Sequence, residues 1–579
     1  MKKGIPHLFT YNLLIICQFA FQLYGQEPSG SNRKTLQLPV DIPIFLAGNF
    51  AEPRLNHFHS GIDIKTNGTT GIPVRSVSEG YVSRIKVEAG GYGKAVYIRH
   101  PDGYTTLYGH LLSFSDNLSQ YVKEEQYRRE SFAVDLFPEP AKFVIKKGQV
   151  IALSGNSGSS EGPHLHFEVR ETQSENPINP LVKSIDLPDG IPPVIEKLYV
   201  FSLKERRERI KPVSEPLKKS NGVYRPLAGT PVPFDNVSGI GIETYDLLNG
   251  SDNHCGIYRI KGYLDDKIFF ETCLDKVSFS ETRYMNSFMD YKMYTTNHKT
   301  IIKLFIDPNN KASVYRFARN RGQLELKDKT AHKIKITVDD AAGNQSVAIF
   351  DAILKSDRFQ DDPDFNAVYN AFFKYGESNT YQAEGIEVVF PPGALYDDIY
   401  FDYAVESQKP GSYSPLHQIH RMDVPVHLYY RLAIESTNLP PALKPKATLV
   451  QCLGNNKYNI LGGNWEGNRL VSRTRNFGAF CIMVDTVKPV IKPLNFSSAN
   501  DLKTLSNIKL KVKDDLSGVQ TYWGEIDGKW ILLEYDARNS ILEYKYDSRR
   551  NKSGIQHRLA ITVSDQLANS TTYTISFFR

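Results

Sequence analysis

The sequence predicts a mainly β protein, in which an N-terminal antiparallel β domain is followed by a series of β-sandwich modules. The chain has 579 residues, which is too long for one hydrophobic core. It is rich in Tyr (33) and Phe (31), and its 40 Gly and 32 Pro supply frequent turns. Short runs of alternating apolar and polar residues, bounded by Gly, Pro or Asp, recur along it. We therefore expect strands and turns rather than helical bundles.

Residues 1–25 have the pattern of a secretory signal peptide. Lys2 and Lys3 precede an apolar stretch, Leu8–Phe21, and we expect cleavage after Gly25. Cys17 lacks the small preceding residues of a lipoprotein anchor. No later segment approaches transmembrane length, so we expect no integral membrane segment after signal removal. The mature protein is expected to be exported, in the periplasm, outside the cell or associated with the cell envelope.

The composition is that of a folded protein and gives no support to a nucleic-acid partner. Hydrophobic residues make up 41% of the chain and charged residues 23%. The formal net charge of +6 is small for this length, and no run of Lys or Arg stands out. A mildly basic surface suits an anionic polymer such as cell wall, but an ordinary solvated surface explains it equally well.

Residues 36–183 are the predicted antiparallel β domain. The segment 113–140 is charged and rich in Gln and Tyr, and it lies between two strand signals, so we expect a partly helical insertion at the rim of this domain. Five runs of strand length in the domain alternate apolar and polar residues and end at turn residues: Gly80–Val87, Lys94–Arg99, Lys142–Ile145, Gln149–Leu153 and His164–Val169.

An internal repeat divides the rest of the chain. His332-Lys-Ile-Lys-Ile-Thr-Val-Asp-Asp340 and His557-Arg-Leu-Ala-Ile-Thr-Val-Ser-Asp565 share His, Ile-Thr-Val and Asp at the same offsets, and Asn344 and Asn569 follow at the same distance. A strand, an Asp/Asn turn and a final strand are typical of β-sandwiches. The repeat predicts two modules, 186–355 and 485–579, which resemble bacterial immunoglobulin-like domains. Residues 356–484 form a third β-sandwich of uncertain type, in which Gly385–Leu395 resembles the opening of sandwich modules in ankyrins and netrin receptors.

The mature chain has four cysteines: Cys255, Cys273, Cys452 and Cys481. An even number in an exported protein permits disulfides, and the pairs 255/273 and 452/481 are the simplest expectation. The sequence leaves the pairing open. None has the CxxC spacing of a zinc-thiolate or redox site.

Three short strings in the N-terminal domain carry the residues suited to metal chemistry: His59-Ser-Gly-Ile-Asp63, Leu107-Tyr-Gly-His110, and His164-Leu-His166-Phe-Glu168. His164 and His166 are two apart on a predicted strand, so their rings project from the same face. Gly61 is expected to let the chain turn tightly between His59 and Asp63. Two imidazoles and a carboxylate suit a zinc ion that keeps one position open, and two further histidines remain for other work.

Each of these residues also has a purely structural interpretation. A single histidine on a strand is usually structural or solvated, and Asp63 could simply cap a turn. We assign His57 and His100 no chemical role, and Glu168 is either a support for the metal ligands or a surface carboxylate. What favours chemistry is the ordered conjunction of all three strings in one β domain. The helix-borne HExxH motif of other metalloproteases is absent from the sequence.

Residues 50–181 resemble the lysostaphin-like, or LytM-type, zinc endopeptidases of bacterial cell wall (peptidase family M twenty-three). The motifs that carry the resemblance occur in the family's order: His59-Ser-Gly-Ile-Asp63, Gly71-Ile-Pro-Val74, Gly80-Tyr-Val82, His100-Pro-Asp-Gly-Tyr-Thr-Thr-Leu-Tyr-Gly-His110, Gly148-Gln-Val-Ile151, Gly155-Asn-Ser-Gly158 and Gly162-Pro-His-Leu-His-Phe-Glu168. The long segment after His110 departs from the pattern and, in family terms, lies beside the substrate groove.

The resemblance implies a metallopeptidase domain of the duplicated hybrid motif type, with Zn²⁺ as cofactor. It makes His59, Asp63 and His166 the zinc ligands, and His110 and His164 the catalytic pair. The implied function is hydrolysis of amide bonds in peptidoglycan stem peptides or cross-bridges, with peptidoglycan as the partner and any protein regulator unknown. Two alternatives stay open: a non-catalytic wall-binding or regulatory scaffold, and an extracellular protease that acts on Gly-rich protein.

Overall fold

The computed structural model of the chain describes residues 36–183, 185–204, 210–229, 231–359, 369–547 and 554–579. The predicted signal peptide, 1–25, lies outside these residues. The described chain is mainly β, as the sequence predicted, with few and short helices. Among the described residues, no helix combines the length and the apolar character needed to cross a bilayer.

The N-terminal domain is built on a 9-stranded antiparallel sheet in the order β1-β4-β13-β8-β7-β6-β10, with β11 on β6 and β14 on β13. A 3-stranded sheet, β5-β12-β9, and the β2-β3 hairpin complete it. Its elements are β1 (Leu46–Gly48), β2 (Pro53–Arg54), β3 (His57–Phe58), β4 (Ile62–Lys65), β5 (Pro73–Arg75), β6 (Gly80–Val87), β7 (Lys94–Arg99), β8 (Tyr104–Gly109), β9 (Ser113–Phe114), α1 (Asp116–Arg129), β10 (Val134–Leu136), β11 (Val144–Ile145), β12 (Val150–Leu153), β13 (His164–Glu171), β14 (Pro177–Ile178) and α2 (Pro180–Lys183).

Strand β13 has two faces of opposite character. Leu165, Phe167 and Val169 are buried in the hydrophobic core at 0–1% exposure. The residues that alternate with them, among them His164 and His166, project from the other face because side chains alternate along a strand. One strand therefore serves the core and the polar cluster described below.

The segment 113–140 contains β9, the helix α1 and β10. Leu118, Val122 and Gln126 are buried along one face of α1, at the four-residue spacing of helical neighbours. Glu130 ends the helix in the left-handed conformation. Strand β10 then returns to pair with the edge of β6.

The first predicted sandwich module, 194–354, contains one 12-stranded sheet in the order β22-β19-β15-β16-β17-β26-β25-β20-β21-β23, with β18 on β26 and β24 on β19. Its elements are β15 (Val194–Ser202), β16 (Val213–Ser220), β17 (Val223–Pro226), β18 (Val232–Phe234), β19 (Val237–Tyr245), β20 (Arg259–Leu264), β21 (Lys267–Cys273), α3 (Met285–Phe288), α4 (Tyr291–Asn297), β22 (Ile301–Lys303), β23 (Tyr315–Ala318), β24 (Leu324–Glu325), β25 (His332–Asp339) and β26 (Gln345–Leu354).

The middle module, 370–485, contains two 5-stranded sheets, β28-β29-β33-β37-β36 and β31-β32-β38-β34-β35, and the pair β27-β30. Its strands are β27 (Ala371–Phe373), β28 (Asn379–Ala383), β29 (Ile386–Phe390), β30 (Ile399–Phe401), β31 (Tyr403–Glu406), β32 (Leu416–Ile419), β33 (Tyr430–Glu435), β34 (Ala447–Cys452), β35 (Tyr458–Gly462), β36 (Asn464–Glu466), β37 (Arg469–Thr474) and β38 (Gly478–Val484).

The last module, 490–579, contains two 4-stranded sheets, β39-β40-β44-β43 and β42-β41-β45-β46. Its strands are β39 (Val490–Pro493), β40 (Asn507–Lys513), β41 (Val519–Ile526), β42 (Lys529–Trp530), β43 (Leu533–Asp536), β44 (Ile541–Lys545), β45 (Gln556–Asp565) and β46 (Ser570–Phe578). The repeated histidines occupy matching places, since His332 Nδ1 contacts Asp265 and His557 Nδ1 contacts Asp527, at 2.9 and 2.7 Å. The immunoglobulin-like assignment of the two modules stays a prediction.

The N-terminal domain and the first sandwich module share one continuous hydrophobic core, which runs from Val40 to Ala352. Phe58 packs edge-on against Phe288 across the junction. The backbone amide of Phe58 also donates to Thr282 Oγ1 at 2.9 Å. The middle and last modules have separate cores.

The last module folds back onto the N-terminal domain. Lys94 Nζ lies 2.9 Å from Glu534, and Lys123 Nζ lies 2.7 Å from Asp547. The Arg538 guanidinium donates to the carbonyl of Asn156 at 3.1 Å. This contact reaches the loop that follows β12.

The four cysteines in the described part of the chain, Cys255, Cys273, Cys452 and Cys481, are buried free thiols, so neither expected disulfide is present. Cys452 and Cys481 come close, with Sγ atoms 3.8 Å apart. They lie on neighbouring strands but are diagonal partners, because Cys452 is opposite Ala479 and Cys481 is opposite Val450.

Candidate metal centre

Strand order brings the chemical residues together. Strand β13 lies between β4 and β8, and His166 is opposite Asp63 on one side and Gly109 on the other. His110 follows β8 directly in the left-handed conformation, with φ 57°. That conformation is uncommon for a residue with a side chain, and strained residues of this kind concentrate at functional sites.

His59, Asp63 and His166 form a tight group of possible metal ligands. One donor atom from each lies within 4.8 Å of the others, and no other residue in the described part of the chain joins this group. His59 Nε2 is 3.2 Å from His166 Nδ1 and 3.1 Å from Asp63 Oδ1. His166 Nδ1 is 2.9 Å from Asp63 Oδ1. All three residues are buried, at 2–5% exposure.

The second nitrogen of each ring fixes where its proton resides. His59 Nδ1 lies 2.8 Å from the carbonyl oxygen of Asn49, which can only accept, so this nitrogen carries the proton. His166 Nε2 lies 2.8 Å from Glu168 Oε1 and donates in the same way. In the neutral rings, two nitrogen lone pairs and a carboxylate oxygen therefore face one point.

That arrangement calls for a positive charge, and its dimensions suit zinc. Ligands at 2.0–2.1 Å from a tetrahedral ion are separated by about 3.3 Å, close to the spacings found here. Burial lowers the pKa of His166, but hydrogen bonds with Asp63 and Glu168 outweigh burial and raise it to about 9. The carboxylates of Asp63 and Glu168 thus favour a cation at this point. The residues fit a zinc ion.

Glu168 is a fully buried support for His166, so the surface interpretation of this residue is wrong. Its Oε1 accepts from Ser60 Oγ at 2.7 Å and from Tyr92 Oη at 2.6 Å, in addition to His166. Its Oε2 accepts from Arg170 Nε at 2.6 Å. Burial raises the pKa of Glu168, but Arg170 and His166 hold it well below its usual range. The carboxylate therefore stays charged and keeps the proton of His166 on Nε2.

His110 and His164 stand beside the ligand group, with ring centroids 4.8 Å apart. His110 Nδ1 donates to the carbonyl of Ser157 at 2.9 Å, and His164 Nδ1 donates to that of Gly162 at 2.8 Å. Each neutral ring therefore has its lone pair on Nε2, and in His164 this nitrogen lies 3.4 Å from Asp63 Oδ1. Burial, together with His166 and His164, lowers the pKa of His110 to about 3, so this ring is neutral near pH 7.

Several residues that support the ligands did not stand out in the sequence. The Arg54 guanidinium donates to Asp63 Oδ2 at 2.6 Å and leaves Oδ1 facing the two histidines. Asn49 holds His59 through its carbonyl, and its side chain exchanges hydrogen bonds with Gly256 of the first sandwich module at 2.6 and 2.7 Å. Of these supporting residues, only Arg170 could have been predicted from the sequence, because it continues the two-residue alternation of His164, His166 and Glu168.

Gly61 is required for a reason other than the one expected. It does not adopt a positive φ. A Cβ atom at this position would lie 2.4 Å from the carbonyl oxygen of Phe167, so glycine allows β4 to approach β13 closely.

The two histidines without an assigned role are both outside the ligand group. His57 is exposed and contacts the carbonyl of Leu55. His100 is buried, and its ring bonds to the carbonyl of Glu79 and to Thr106 Oγ1, at 2.7 and 2.8 Å. Both contacts are structural.

Two family models match the chain. The model of peptidase family M23 matches residues 57–127 and 141–180, which include all five predicted site residues. A Zu5-like domain matches residues 370–485, where Gly385–Leu395 lies.

Curated relatives match a part of this chain. The DD-carboxypeptidase/endopeptidase Mpg of Neisseria meningitidis is 34% identical over 131 residues, 23% of this chain and 24% of Mpg. The peptidoglycan DD-endopeptidase ShyA of Vibrio cholerae is 28% identical over 192 residues, 32% of this chain and 38% of ShyA. The chain thus spans about a quarter to two fifths of these relatives.

Among solved structures, a zinc-containing peptidase from Vibrio cholerae is 27% identical and covers 27% of this chain and 41% of that chain, with a TM-score of 0.20. The catalytic domain of the M23 protein EnpA from Enterococcus faecalis is 25% identical, covering 24% of this chain and 89% of that domain, with a TM-score of 0.18. The family match covers the strands that carry the ligand group and leaves out only residues 128–140, in the inserted segment. Residues 57–180 are therefore a domain of peptidase family M23.

Proposed function

We propose that this chain is a zinc-dependent endopeptidase that hydrolyses amide bonds in the stem peptides or cross-bridges of peptidoglycan. The main support is the convergence of His59 Nε2, His166 Nδ1 and Asp63 Oδ1, two lone pairs and a carboxylate oxygen within 3.2 Å of one another. The protein supplies three donors, which leaves one position of a tetrahedral sphere for solvent or substrate, as in catalytic rather than structural zinc sites.

Zinc held by these three residues would polarise the scissile carbonyl and make water a stronger nucleophile. The neutral His110 presents a lone pair on Nε2, because Nδ1 donates to Ser157. It can accept the proton of the attacking water and pass it to the leaving amine. His164 lies beside it with the same tautomer, and together the two rings can hold water and substrate oxygen in line.

The substrate class and the location are part of the proposal. Mpg and ShyA, by their names, act as DD-peptidases, ShyA on peptidoglycan. A wall substrate requires export to the periplasm or cell surface, which agrees with the predicted signal peptide at 1–25. The fused β modules would act as spacers or wall-binding units.

Zinc analysis and muropeptide mass spectrometry of one set of variants test this function. His59→Ala, Asp63→Ala and His166→Ala should lose zinc and activity together. His110→Ala and His164→Ala should keep zinc and lose about 10²–10⁴-fold in kcat/KM, the usual contribution of a general acid–base. His57→Ala is the matched control, since this exposed histidine lies two residues from His59, and it should behave as wild type.

The alternatives give different results. If the zinc-loaded protein releases no muropeptide and its variants bind cell wall as the wild type does, the protein is a non-catalytic wall-binding scaffold. Cleavage of pentaglycine or elastin-like peptides with intact wall would replace the substrate class.

A further inference from the structure

A second kind of ligand cluster lies outside the M23 domain and occurs twice. Asp189, Asp246 and Asp340 each place a carboxylate oxygen within 4.8 Å of the others in the first sandwich module. Asp485, Asp514 and Asp565 do the same in the last module. The donors in both clusters are oxygen atoms only, unlike those of the zinc site.

The two clusters are equivalent by sequence position. Asp189 and Asp485 stand four residues before the Pro-Val-Ile segments at Pro193 and Pro489. The second aspartates open the matching strings Asp246-Leu-Leu-Asn-Gly250 and Asp514-Asp-Leu-Ser-Gly518, directly after β19 and β40. Asp340 and Asp565 begin the repeated turn that ends at Asn344 and Asn569.

The third aspartate of each cluster is held in the same way in both modules. Asp340 Oδ1 accepts the backbone amide of Asn344 at 2.8 Å, and Oδ2 accepts the Asn344 side chain at 2.7 Å. Asp565 makes the corresponding bonds with Asn569, at 2.8 and 2.7 Å. Oδ1 of each also accepts a second backbone amide, from Gly343 at 2.7 Å for Asp340 and from Leu567 at 2.9 Å for Asp565, so it is Oδ2 that keeps a lone pair for another partner.

One oxygen in each cluster has no partner. Asp246 is 3% exposed, and its Oδ1 finds no hydrogen bond in the described part of the chain. The Oδ1 atom of Asp514, the equivalent residue, is also buried and unpaired among the described residues, although this side chain as a whole is half-buried and its Oδ2 accepts the backbone amide of Gly518 at 2.7 Å. A buried carboxylate oxygen without a partner is costly, and three carboxylates at one point make it more so.

The charges around both aspartates are unbalanced. Burial, followed by the charges of Asp340 and Asp189, raises the pKa of Asp246 to about 8. Burial and the nearby Asp485 and Asp565 raise the pKa of Asp514. No Lys or Arg is among the causes of either shift. A bound cation would remove both the repulsion and the unpaired oxygens.

We propose that each cluster binds one calcium ion at the joint where its module begins. Calcium prefers oxygen ligands at 2.3–2.6 Å, so one ion can bridge carboxylates that lie within 4.8 Å of one another. Asp189 belongs to the linker that follows α2, and Asp485 directly follows β38 of the middle module. In both modules the ion would tie the incoming linker to the ends of two strands and stiffen the joint.

Calcium titration of the full mature chain, stripped with chelator and reloaded with one zinc, tests this inference by binding rather than by activity. Calorimetry should find two calcium equivalents with Kd in the range of about 10⁻⁴–10⁻³ M, as in extracellular calcium modules. Asp246→Asn and Asp514→Asn should each retain one equivalent and the double variant none. Asp252→Asn and Asp515→Asn, exposed neighbours, should retain both. Terbium luminescence, sensitised by Tyr245 beside Asp246, should be lost selectively in Asp246→Asn.

Calcium should also raise the melting temperature of the wild type by several degrees and leave that of the double variant unchanged. If the double variant does not fold, Asp189→Asn with Asp485→Asn replaces it. Two results overturn the inference: no calcium binding up to about 5 mM, well above the expected Kd, or two equivalents retained in a folded double variant. Equal binding of magnesium would overturn the identity of the ion.

Discussion

At the residue scale, the ligand group depends on which nitrogen of each ring carries the proton. Carbonyl oxygens decide this for His59, His110 and His164, and the Glu168 carboxylate decides it for His166. In each ring the proton is on the nitrogen that faces away from the cluster. In the neutral rings the lone pairs therefore point into the cluster, which lowers the cost of binding a metal.

Glu168→Gln tests this orientation. The Gln amide can donate to His166 Nε2 and so move the ring proton to Nδ1, where a metal would bind. Zinc affinity should fall about 10–100-fold, the usual effect of losing such a support. Competition with a chromogenic chelator measures it. Glu161→Gln, at an exposed glutamate before His164, is the control and should keep wild-type affinity. Equal affinities in both variants would show that Glu168 does not set the tautomer.

The order of motifs in the sequence was sufficient to single out five residues that the structure brings together, although their roles remain part of the proposal. Their supports were less accessible. Arg54 and Asn49 act through contacts with Asp63 and with Gly256, and Gly256 is far away in sequence. The full burial of Glu168 depends on Tyr92 and Ser60, which no local pattern connects to β13.

At the element scale, strands with strong alternation were predictable and short ones were not. Gly80–Val87 and Lys94–Arg99 appear as β6 and β7 with the expected bounds. Strands of two residues, such as β2 and β3, exist because the first sandwich module holds their hairpin, through Thr282 on Phe58 and Asn286 on Asn56. Local sequence contains no signal for such pairing.

Gly61→Ala tests the close approach of β4 and β13. The new Cβ would meet the carbonyl of Phe167 at 2.4 Å, and backbone cannot move aside as a side chain can. We expect a loss of about 1–3 kcal/mol in the free energy of unfolding, as for other overpacked sites. Denaturant unfolding measures it. Gly162→Ala, where a Cβ would meet nothing within 4 Å, should cost less. If the two variants are equally stable, the strands can separate without penalty.

At the scale of the whole molecule, the last module packs against one side of the M23 domain. It contacts helix α1 through Lys123 and Asp547, and it contacts the loop at Asn156, whose neighbour Ser157 holds His110. The sequence predicted the inserted segment but not its partner, because the two are more than four hundred residues apart.

The pair Lys94–Glu534 offers a measurable link in this contact. A double-mutant cycle with Lys94→Ala and Glu534→Ala should give a coupling free energy of about 0.5–1 kcal/mol, since both side chains are partly exposed and solvent screens them. Chemical denaturation of the four proteins gives the value. Purely additive effects would mean that Lys94 and Glu534 do not interact in solution.

The continuous core between the M23 domain and the first sandwich module limits how this protein can be divided. Cutting the chain near residue 184 would expose apolar surface on both halves. It would also remove the hydrogen bonds between Gly256 and Asn49, whose carbonyl holds the proposed metal ligand His59. The M23 domain is thus not an independent folding unit, because the first sandwich module completes its hydrophobic core. The isolated M23 domain should be both insoluble and poor at retaining zinc.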